Sequence, residues 1–147
     1  MTVALDTNIL VYAEGINGVV EENRASTLLS ALPAPLVRLP VPVMGELYNV
    51  LSKRSGRTRE WARSAVLSWQ VTYLPAPLTV QAMNSGIELA ARHQIQIWDA
   101  AILAVAAEAG CSLLLSEDLQ YGFSWGGVTV VNPFTHPAHP LLNEFFG

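Results

Sequence analysis

Cysteine, charge and long hydrophobic runs are all scarce in this sequence of 147 residues. The single cysteine, Cys111, excludes an intramolecular disulfide framework and a zinc site built from several cysteines. Only 14% of the residues are charged and 51% are hydrophobic, a composition too apolar for a disordered chain. No uncharged apolar run reaches the roughly 18 residues of a membrane-spanning helix. The apolar start, residues 2–13, follows no basic residue and contains Asp6, so we expect no signal peptide.

The length and the mean hydropathy of +0.33 favour a single domain over residues 1–147 with one well-filled core. A cytoplasmic location is the simplest expectation for such a chain with one cysteine. The net charge of −4 argues against attraction of polyanions over the whole surface. Five of the eight basic residues nevertheless lie between positions 53 and 63, which we call the basic segment. This segment is a candidate for contact with an anionic partner.

Short apolar runs alternate with segments of helical periodicity along the chain. The apolar runs predict strands at residues 2–5, 36–39, 71–74, 112–115 and 128–131. Capping residues and apolar spacing predict helices from about 7 into the teens, through 25–32, over 42–55, after Thr58, after Thr79 and over 100–109. This alternation indicates an α/β fold with a mainly parallel sheet that is covered on both faces. Ligands of such sheets lie beyond the carboxyl ends of the strands.

Four acidic residues lie in apolar surroundings with no lysine or arginine beside them in the sequence: Asp6, Glu46, Asp99 and Asp118. Each has an ordinary explanation by itself. Asp6 and Asp99 suit helix caps, Asp118 suits a turn, and Glu46 suits a solvated helix face. Together they suggest a site for Mg²⁺ or Mn²⁺, because buried carboxylates need a positive partner and carboxylate oxygens are the ligands these ions prefer.

Four short motifs occur in order between residues 6 and 122, and together they resemble the PIN-domain ribonucleases, in particular VapC-type toxins of bacterial toxin–antitoxin pairs. They are Asp6-Thr7-Asn8 after a strand, Gly45-Glu46-Leu47 in a helix, Trp98-Asp99 at the head of an apolar helix, and Ser116-Glu117-Asp118 after a strand. The resemblance implies a three-layer α/β/α sandwich and leaves residues 132–147 outside the motif set. It places the family's four acidic positions on Asp6, Glu46, Asp99 and Asp118. Asn8 and Ser116 would support them by hydrogen bonding.

The resemblance implies an endoribonuclease that hydrolyses RNA with a carboxylate-held Mg²⁺ or Mn²⁺. Asp6, Asp99 and Asp118 would hold the ion, directly or through water, and Glu46 would bind or polarise a water. The family further implies a homodimer and a small antitoxin that brings basic residues to the carboxylates, with DNA bound only through that antitoxin. Four residues of the basic segment are expected to contact RNA or the antitoxin, or else to be solvated helix surface: Lys53, Arg54, Arg57 and Arg59.

Several points stay open at the level of sequence. Glu117 is a weaker candidate than Asp118 for the fourth acidic position, and His136 and His139 are given no catalytic role. A haloacid-dehalogenase-like phosphatase would require an aspartate where Asn8 stands, and a receiver domain would require paired acidic residues after the first strand. A PIN-like scaffold that binds a partner without cutting RNA is the alternative outside enzymology.

Overall fold

Six short strands form one sheet in the computed structural model, which describes residues 1–54, 56–119, 122–135 and 139–146. The strands are β1 (Val3–Leu5), β2 (Val37–Pro40), β3 (Leu74–Ala76), β4 (Leu113–Leu115), β5 (Ser124–Trp125) and β6 (Val128–Val131). Their order across the sheet is β3-β2-β1-β4-β6-β5, and all neighbours are parallel except β5 and β6. The predicted parallel sheet is therefore confirmed.

Seven α-helices and one short 3-10 helix, Ala34–Leu36, are present in the described ranges. The α-helices are α1 (Thr7–Ala13), α2 (Val19–Ala31), α3 (Val41–Arg54), α4 (Arg59–Thr72), α5 (Val80–His93), α6 (Ile97–Glu108) and α7 (Pro140–Phe146). The hydroxyl oxygens of Thr58 and Thr79 accept the backbone N–H groups of Trp61 and Ala82 at 3.0 Å, which satisfies otherwise unpaired donors at the starts of α4 and α5. None of the helices in the described ranges is both long and apolar enough to cross a membrane.

The core lies where the sheet meets its covering helices, in a three-layer α/β/α arrangement. Strands β1 and β4 are buried throughout, and residues 100–106 of α6 are buried on every side. Helix α5 packs closely against α6 because residue 86 is glycine: a Cβ atom there would lie only 3.0 Å from Cα of Ala101. Burial of each large aliphatic side chain in this core stabilises the fold by about 1.5–3 kcal/mol.

The adjacency of β1 and β4 determines where the polar residues after them meet. Leu5 pairs with Leu115, so the next residues, Asp6 and Ser116, emerge side by side at the same edge of the sheet. The N–H of Asp6 donates to the carbonyl of Leu115 at 2.9 Å, which continues the ladder one residue beyond β1. This edge is the one at which ligands of parallel sheets are expected.

Two predicted elements are displaced and two were not predicted. The strand predicted at 71–74 is wrong, because Val71 and Thr72 complete α4 and the strand is Leu74–Ala76. It includes Pro75, which is tolerated because β3 lies at the edge of the sheet. Asp99 is not the cap of α6, since Gln96 precedes the helix and accepts the N–H groups of Trp98 and Asp99. Strand β5 and helix α7 had no clear periodic signal.

Candidate active site

Asp6 is a buried carboxylate held from two sides at the carboxyl end of β1. Its side chain is the N-cap of α1, and only 3% of the residue is exposed. The backbone N–H of Thr7 donates to Oδ1 at 2.7 Å, and the hydroxyl of Ser116 donates to Oδ2 at 2.6 Å. The cap expected of this residue is present, and the second hydrogen bond fixes the plane of the carboxylate across two strands.

Ser116 organises the turn that follows β4. While its hydroxyl donates to Asp6, the same oxygen accepts the backbone N–H groups of Asp118 and Leu119, each at 3.2 Å. The residue is 1% exposed, so these bonds are shielded from water. Ser116 therefore links the position of Asp118 to that of Asp6 through hydrogen bonds, and its supporting role toward a metal site stays a prediction.

The neighbouring carboxylates Glu117 and Asp118 have different partners on one face of α1. Asn8 donates its side-chain N–H to Oδ2 of Asp118, and Tyr12, four residues further along the helix, donates its hydroxyl to Oε1 of Glu117. Burial and the contact with Glu117 raise the pKa of Tyr12, so its hydroxyl keeps the proton that it donates. This division of partners favours Asp118 over Glu117 for the acidic position beside Asp6.

Glu46, in the second turn of α3, is brought to the same edge by a contact that sequence reasoning missed. The hydroxyl of Thr7 donates to Oε1 of Glu46 at 2.6 Å, although the two residues are 39 positions apart. Thr7 is the first residue of α1 and is buried, so its side chain shares the edge with Asp6. Its place between Asp6 and Asn8 in the first motif was the available signal.

Asp99 lies half-buried in the first turn of α6. With it, four acidic residues form what we call the acidic cluster: Asp6, Glu46, Asp99 and Asp118. Burial, followed by the negative charges of Asp6, Glu46 and Asp118, raises the pKa of Asp99 to about 6. Burial likewise raises the pKa of Asp6, with Glu46 and Asp118 adding to the effect and the bonds from Ser116 and Thr7 opposing it. The structure thus brings the four predicted acidic residues into one electrostatic neighbourhood.

Positive charge does not balance this cluster within the described residues. The ion pairs found there are Arg24–Glu21 in α2, Arg63–Glu60 in α4 and Arg92–Glu88 in α5, and each joins neighbouring turns of its own helix. None of them includes a member of the acidic cluster. Burial and the nearby carboxylates raise the pKa of Asp6 and of Asp99, so a cation at this site would stabilise their charged forms.

The donor set fits a hydrated divalent cation better than a fully dehydrated one. Among the described residues, no three histidine, cysteine or acidic side chains are grouped closely enough to hold one ion directly. Mg²⁺ in proteins commonly keeps several waters and binds one or two carboxylates directly. The acidic cluster could hold such an ion through one or two of its carboxylates, and the others would reach the ion through water.

The basic segment lies at the far end of α3 from Glu46. Lys53 and Arg54 are exposed in the last turn of α3, and Arg59 is exposed at the first position of α4. The guanidinium of Arg57 lies over the ring of Trp61, 4.2 Å from its centroid. Among the described residues, no hydrogen bond or ion pair joins Lys53, Arg54 or Arg59 to a member of the acidic cluster.

Of the two histidines near the carboxyl end, His136 lies outside the described residues. His139 precedes α7, and its Nδ1 accepts the N–H of Leu141 at 3.1 Å. That contact is a local cap of a short helix, and it involves no member of the acidic cluster.

The chain is similar to a known protein family in sequence and to known proteins in structure. The PIN domain family model matches residues 3–122, while no curated protein matches the chain significantly in sequence. Solved structures of several bacterial proteins share the fold, and three of them are compared with this chain. The Mycobacterium tuberculosis toxin VapC20, which cleaves the sarcin–ricin loop, is 21% identical, with a TM-score of 0.68 over 80% of this chain and 90% of that one.

The other two structures are complexes. A toxin–antitoxin complex from Klebsiella pneumoniae contains a chain that is 20% identical, with a TM-score of 0.65 over 87% of this chain and 96% of that one. VapBC2 from Rickettsia felis, bound to a DNA fragment from its promoter, matches at 18% identity, with a TM-score of 0.59 over 82% of this chain and 90% of that one. At these identities the likeness establishes a shared fold.

Proposed function

Because the chain belongs to the PIN domain family, we propose that it is a metal-dependent endoribonuclease that acts as the toxin of a toxin–antitoxin pair. The observation that carries the proposal is the acidic cluster: four carboxylates at one edge of the sheet, without a positive partner among the described residues. Such an arrangement costs stability unless a cation occupies it. A metal-dependent nuclease needs such a cluster to bind its cation, which explains why the sequence keeps it despite the cost in stability.

Mg²⁺ or Mn²⁺ would be held by Asp6, Asp99 and Asp118, directly or through water. PIN nucleases generally use divalent metal ions. When bound, the ion supplies a Lewis acid that offsets negative charge on the phosphate and lowers the pKa of a nearby water. The hydrogen bonds from Ser116 and Asn8 would keep the carboxylate oxygens of Asp6 and Asp118 in fixed orientations toward it.

The remaining chemistry belongs to Glu46. Thr7 occupies Oε1 of Glu46 and leaves Oε2 able to accept a hydrogen bond from the attacking water and to polarise it. The water oxygen forms a bond to phosphorus in line with the bond that breaks, which is the one to the 3′ oxygen; the water gives up a proton toward Glu46, and the departing 3′ oxygen takes a proton from solvent. The products are a 5′-phosphate end and a 3′-hydroxyl end. No histidine or lysine is required as a base.

The proposed partners follow from the same site. An antitoxin would place basic side chains, arginine above all, against the acidic cluster, and the likeness to toxin–antitoxin complexes supports such a partner. DNA would be bound only through that antitoxin. The homodimer and the cytoplasmic location are parts of this proposal. So is contact of RNA or the antitoxin with four residues of the basic segment, Lys53, Arg54, Arg57 and Arg59.

The structure gives a reason to set aside the phosphatase alternative. A phosphatase of that class needs a second aspartate two residues after the first, whereas here Asn8 occupies that position and donates its side-chain N–H to Asp118. The non-cutting scaffold is separated from the nuclease by experiment.

The experiment compares the wild type with Asp6→Asn in a bacterial host, by mapping new RNA 5′ ends across the transcriptome after induction. We expect the wild type to halt growth and create a few discrete 5′-phosphate ends, and we expect Asp6→Asn to create none. Glu88→Gln is the matched control, because it removes a carboxylate from an exposed ion pair on α5 and should cut like the wild type. Circular dichroism checks that the variants are folded. Equal cleavage by the wild type and Asp6→Asn would refute the carboxylate mechanism. Purified wild type that binds neither Mn²⁺ nor RNA would favour the scaffold.

A further inference from the structure

A groove of about 580 Å³ opens beside the acidic cluster and shares a wall with it. Glu46 belongs to both, and Trp98, which lines the groove, immediately precedes Asp99 of the cluster. The apolar lining comes from five residues: Val41, Pro42, Tyr48, Leu78 and Trp98. Gly45 and two residues with polar side chains, Glu46 and Asn49, complete the lining.

The two aromatic residues of the groove are unusually open to solvent for their size. Trp98 is 46% exposed and Tyr48 is 39% exposed, whereas Trp69, for example, packs against the core and donates its indole N–H to Glu14. Large aromatic side chains left on a surface beside a functional site commonly contact a ligand, because they offer a flat apolar face at little entropic cost.

Resting on the proposed ribonuclease function, we propose that this groove is a base subsite: it holds the unpaired base of a nucleotide next to the cleaved phosphate, stacked against Trp98. A nucleobase combines an apolar face with a polar edge, and the groove combines aromatic and aliphatic walls with the amide of Asn49. Proteins that recognise RNA by sequence mostly bind bases in single-stranded regions in this way. The groove would therefore be filled only where the nucleotide beside the cleaved bond is unpaired.

The charges along α3 support a nucleic acid as the occupant. Lys53 lies seven residues after Glu46, so the two are on one face of the helix, about 10.5 Å apart along its axis. That length is the rise of roughly three stacked nucleotides at about 3.4 Å each. A strand whose scissile phosphate lies at the acidic cluster and whose base fills the groove would reach Lys53 and Arg54 with its next phosphates.

A second copy of this chain is a less favourable occupant. Packing two copies groove to groove would bring two acidic clusters toward each other, because Glu46 forms part of the wall. Like charges that meet in a partly desolvated interface repel one another. The exposed cations at the end of α3 would gain nothing from such contact.

The test uses a short RNA that contains one mapped cleavage site, in its natural form and with an abasic nucleotide on either side of the cleaved bond. Single-turnover cleavage with Mn²⁺ is measured for the wild type, Trp98→Ala and Trp98→Phe, with Val71→Ala as an exposed apolar control outside the groove. The affinity for the same RNAs is measured separately by fluorescence anisotropy in an Asp118→Asn background. This second readout does not depend on catalysis.

We expect Trp98→Ala to weaken binding by about 5- to 150-fold, the range observed when one base loses its stacking partner. Trp98→Phe should retain most of the affinity, and Val71→Ala should retain all of it. One of the two abasic RNAs should bind the wild-type protein more weakly than the natural RNA does, by a factor similar to the one expected for Trp98→Ala. That RNA should show no further loss with Trp98→Ala, because the two changes remove the same contact.

The inference is overturned if neither abasic RNA binds more weakly than the natural RNA, a comparison that requires no groove variant to fold. It is also overturned if the two losses multiply, or if Trp98→Ala converts a dimer to a monomer in sedimentation without affecting abasic discrimination. Normal cleavage with no effect of these changes would reject the base subsite and leave the ribonuclease intact. Abasic-sensitive binding through Trp98 without any cleavage would reject the ribonuclease and keep the subsite.

Discussion

The residues of strands β1 and β4 are as deeply buried as the residues that directly follow them. The strand residues are apolar, whereas the residues that follow, Asp6 and Ser116, are polar. Val3–Leu5 and Leu113–Leu115 are at most 1% exposed, and Asp6 and Ser116, one residue further on, are 3% and 1% exposed. Burial of the strand residues stabilises the fold, because it removes apolar surface from water. Burial of the Asp6 carboxylate opposes folding, because it removes a charge from water.

Hydrogen bonds offset only part of that cost. Thr7 and Ser116 stabilise the charged form of Asp6, but burial and the nearby carboxylates outweigh them, and the pKa of Asp6 stays above its ordinary value. The strands therefore contribute stability, and the edge beyond them contributes a site. A natural sequence keeps such a local conflict where function requires it.

The largest effect is expected for Asp118→Asn, which should reduce Mn²⁺-dependent cleavage about 1000-fold, on the order of 4 kcal/mol of transition-state stabilisation. Glu117→Gln, next to it in the chain, should reduce cleavage by only a few-fold, because Tyr12 holds that carboxylate apart from Asp118. Single-turnover assays of the two variants make the comparison. Equal losses would show that Glu117 shares the role of Asp118.

Leu114→Ala addresses the other side of the comparison. Leu114 is fully buried, so its truncation should lower the free energy of unfolding by about 2–5 kcal/mol, as measured by denaturant titration. Leu74→Ala on the edge strand is the control: that residue is 60% exposed and its truncation should cost well under 1 kcal/mol. The folded fraction of the Leu114→Ala protein should cleave RNA at the wild-type rate. A large loss of activity without a loss of stability would break the proposed separation.

Ser116→Ala removes the hydroxyl that connects the two strand ends. It should weaken Mn²⁺ affinity and cleavage by about 10- to 100-fold, because Asp6 loses a donor and the N–H groups of Asp118 and Leu119 lose their acceptor. Ser116→Thr keeps the hydroxyl and should recover most of the activity. Failure of the threonine variant to recover would mean that the position requires small volume rather than the hydrogen bonds.

The smallest effect concerns pH in the absence of metal. The pKa of Asp99 is raised from 3.8 to about 6, so between these values the folded state binds more protons than the unfolded state. The contribution of Asp99 to the free energy of unfolding is therefore fully present below about pH 4 and is lost as the pH rises through 6. Because Asp99 is half exposed, we expect a loss on the order of 1 kcal/mol. The measurement is the difference between wild type and Asp99→Asn in EDTA; a difference that grows more favourable to the wild type with rising pH would contradict it.

Much of the fold follows from local patterns in the sequence. The helices after Thr58 and Thr79 were placed correctly, because a capping side chain bonds within its own first turn. The strand at 71–74 was misplaced, because the exposed β-branched residues Val71 and Thr72 continue α4 despite their strand propensity, and local hydrogen bonds of Thr72 to Ser68 and of Tyr73 to Trp69 complete its last turn. The single domain over residues 1–147, with its tail at 132–147, stays a prediction.

The candidate site was predictable to the extent that it depends on topology. The alternation of elements predicts a parallel sheet and so places Asp6 and Ser116 at the same edge, whereas the adjacency of β1 and β4 that brings them side by side depends on the strand order, which the alternation does not determine. The contacts of Thr7 with Glu46 and of Tyr12 with Glu117 span 39 and 105 positions, so they depend on the exact packing of α1. The groove beside Trp98 likewise appears only when α3 and α6 are placed together. The roles given to the site residues stay predictions.

The most direct measurement is the thermal unfolding of the wild type and Asp6→Asn, each in EDTA and in Mn²⁺. If the edge beyond β1 is a cation site that opposes folding when empty, Asp6→Asn in EDTA should be at least as stable as the wild type. Mn²⁺ should then raise the Tm of the wild type, with a dependence on its concentration, and leave the Tm of Asp6→Asn nearly unchanged. A wild type indifferent to Mn²⁺, or an Asp6→Asn variant clearly less stable in EDTA, would show that the carboxylate serves the fold and would contradict the account.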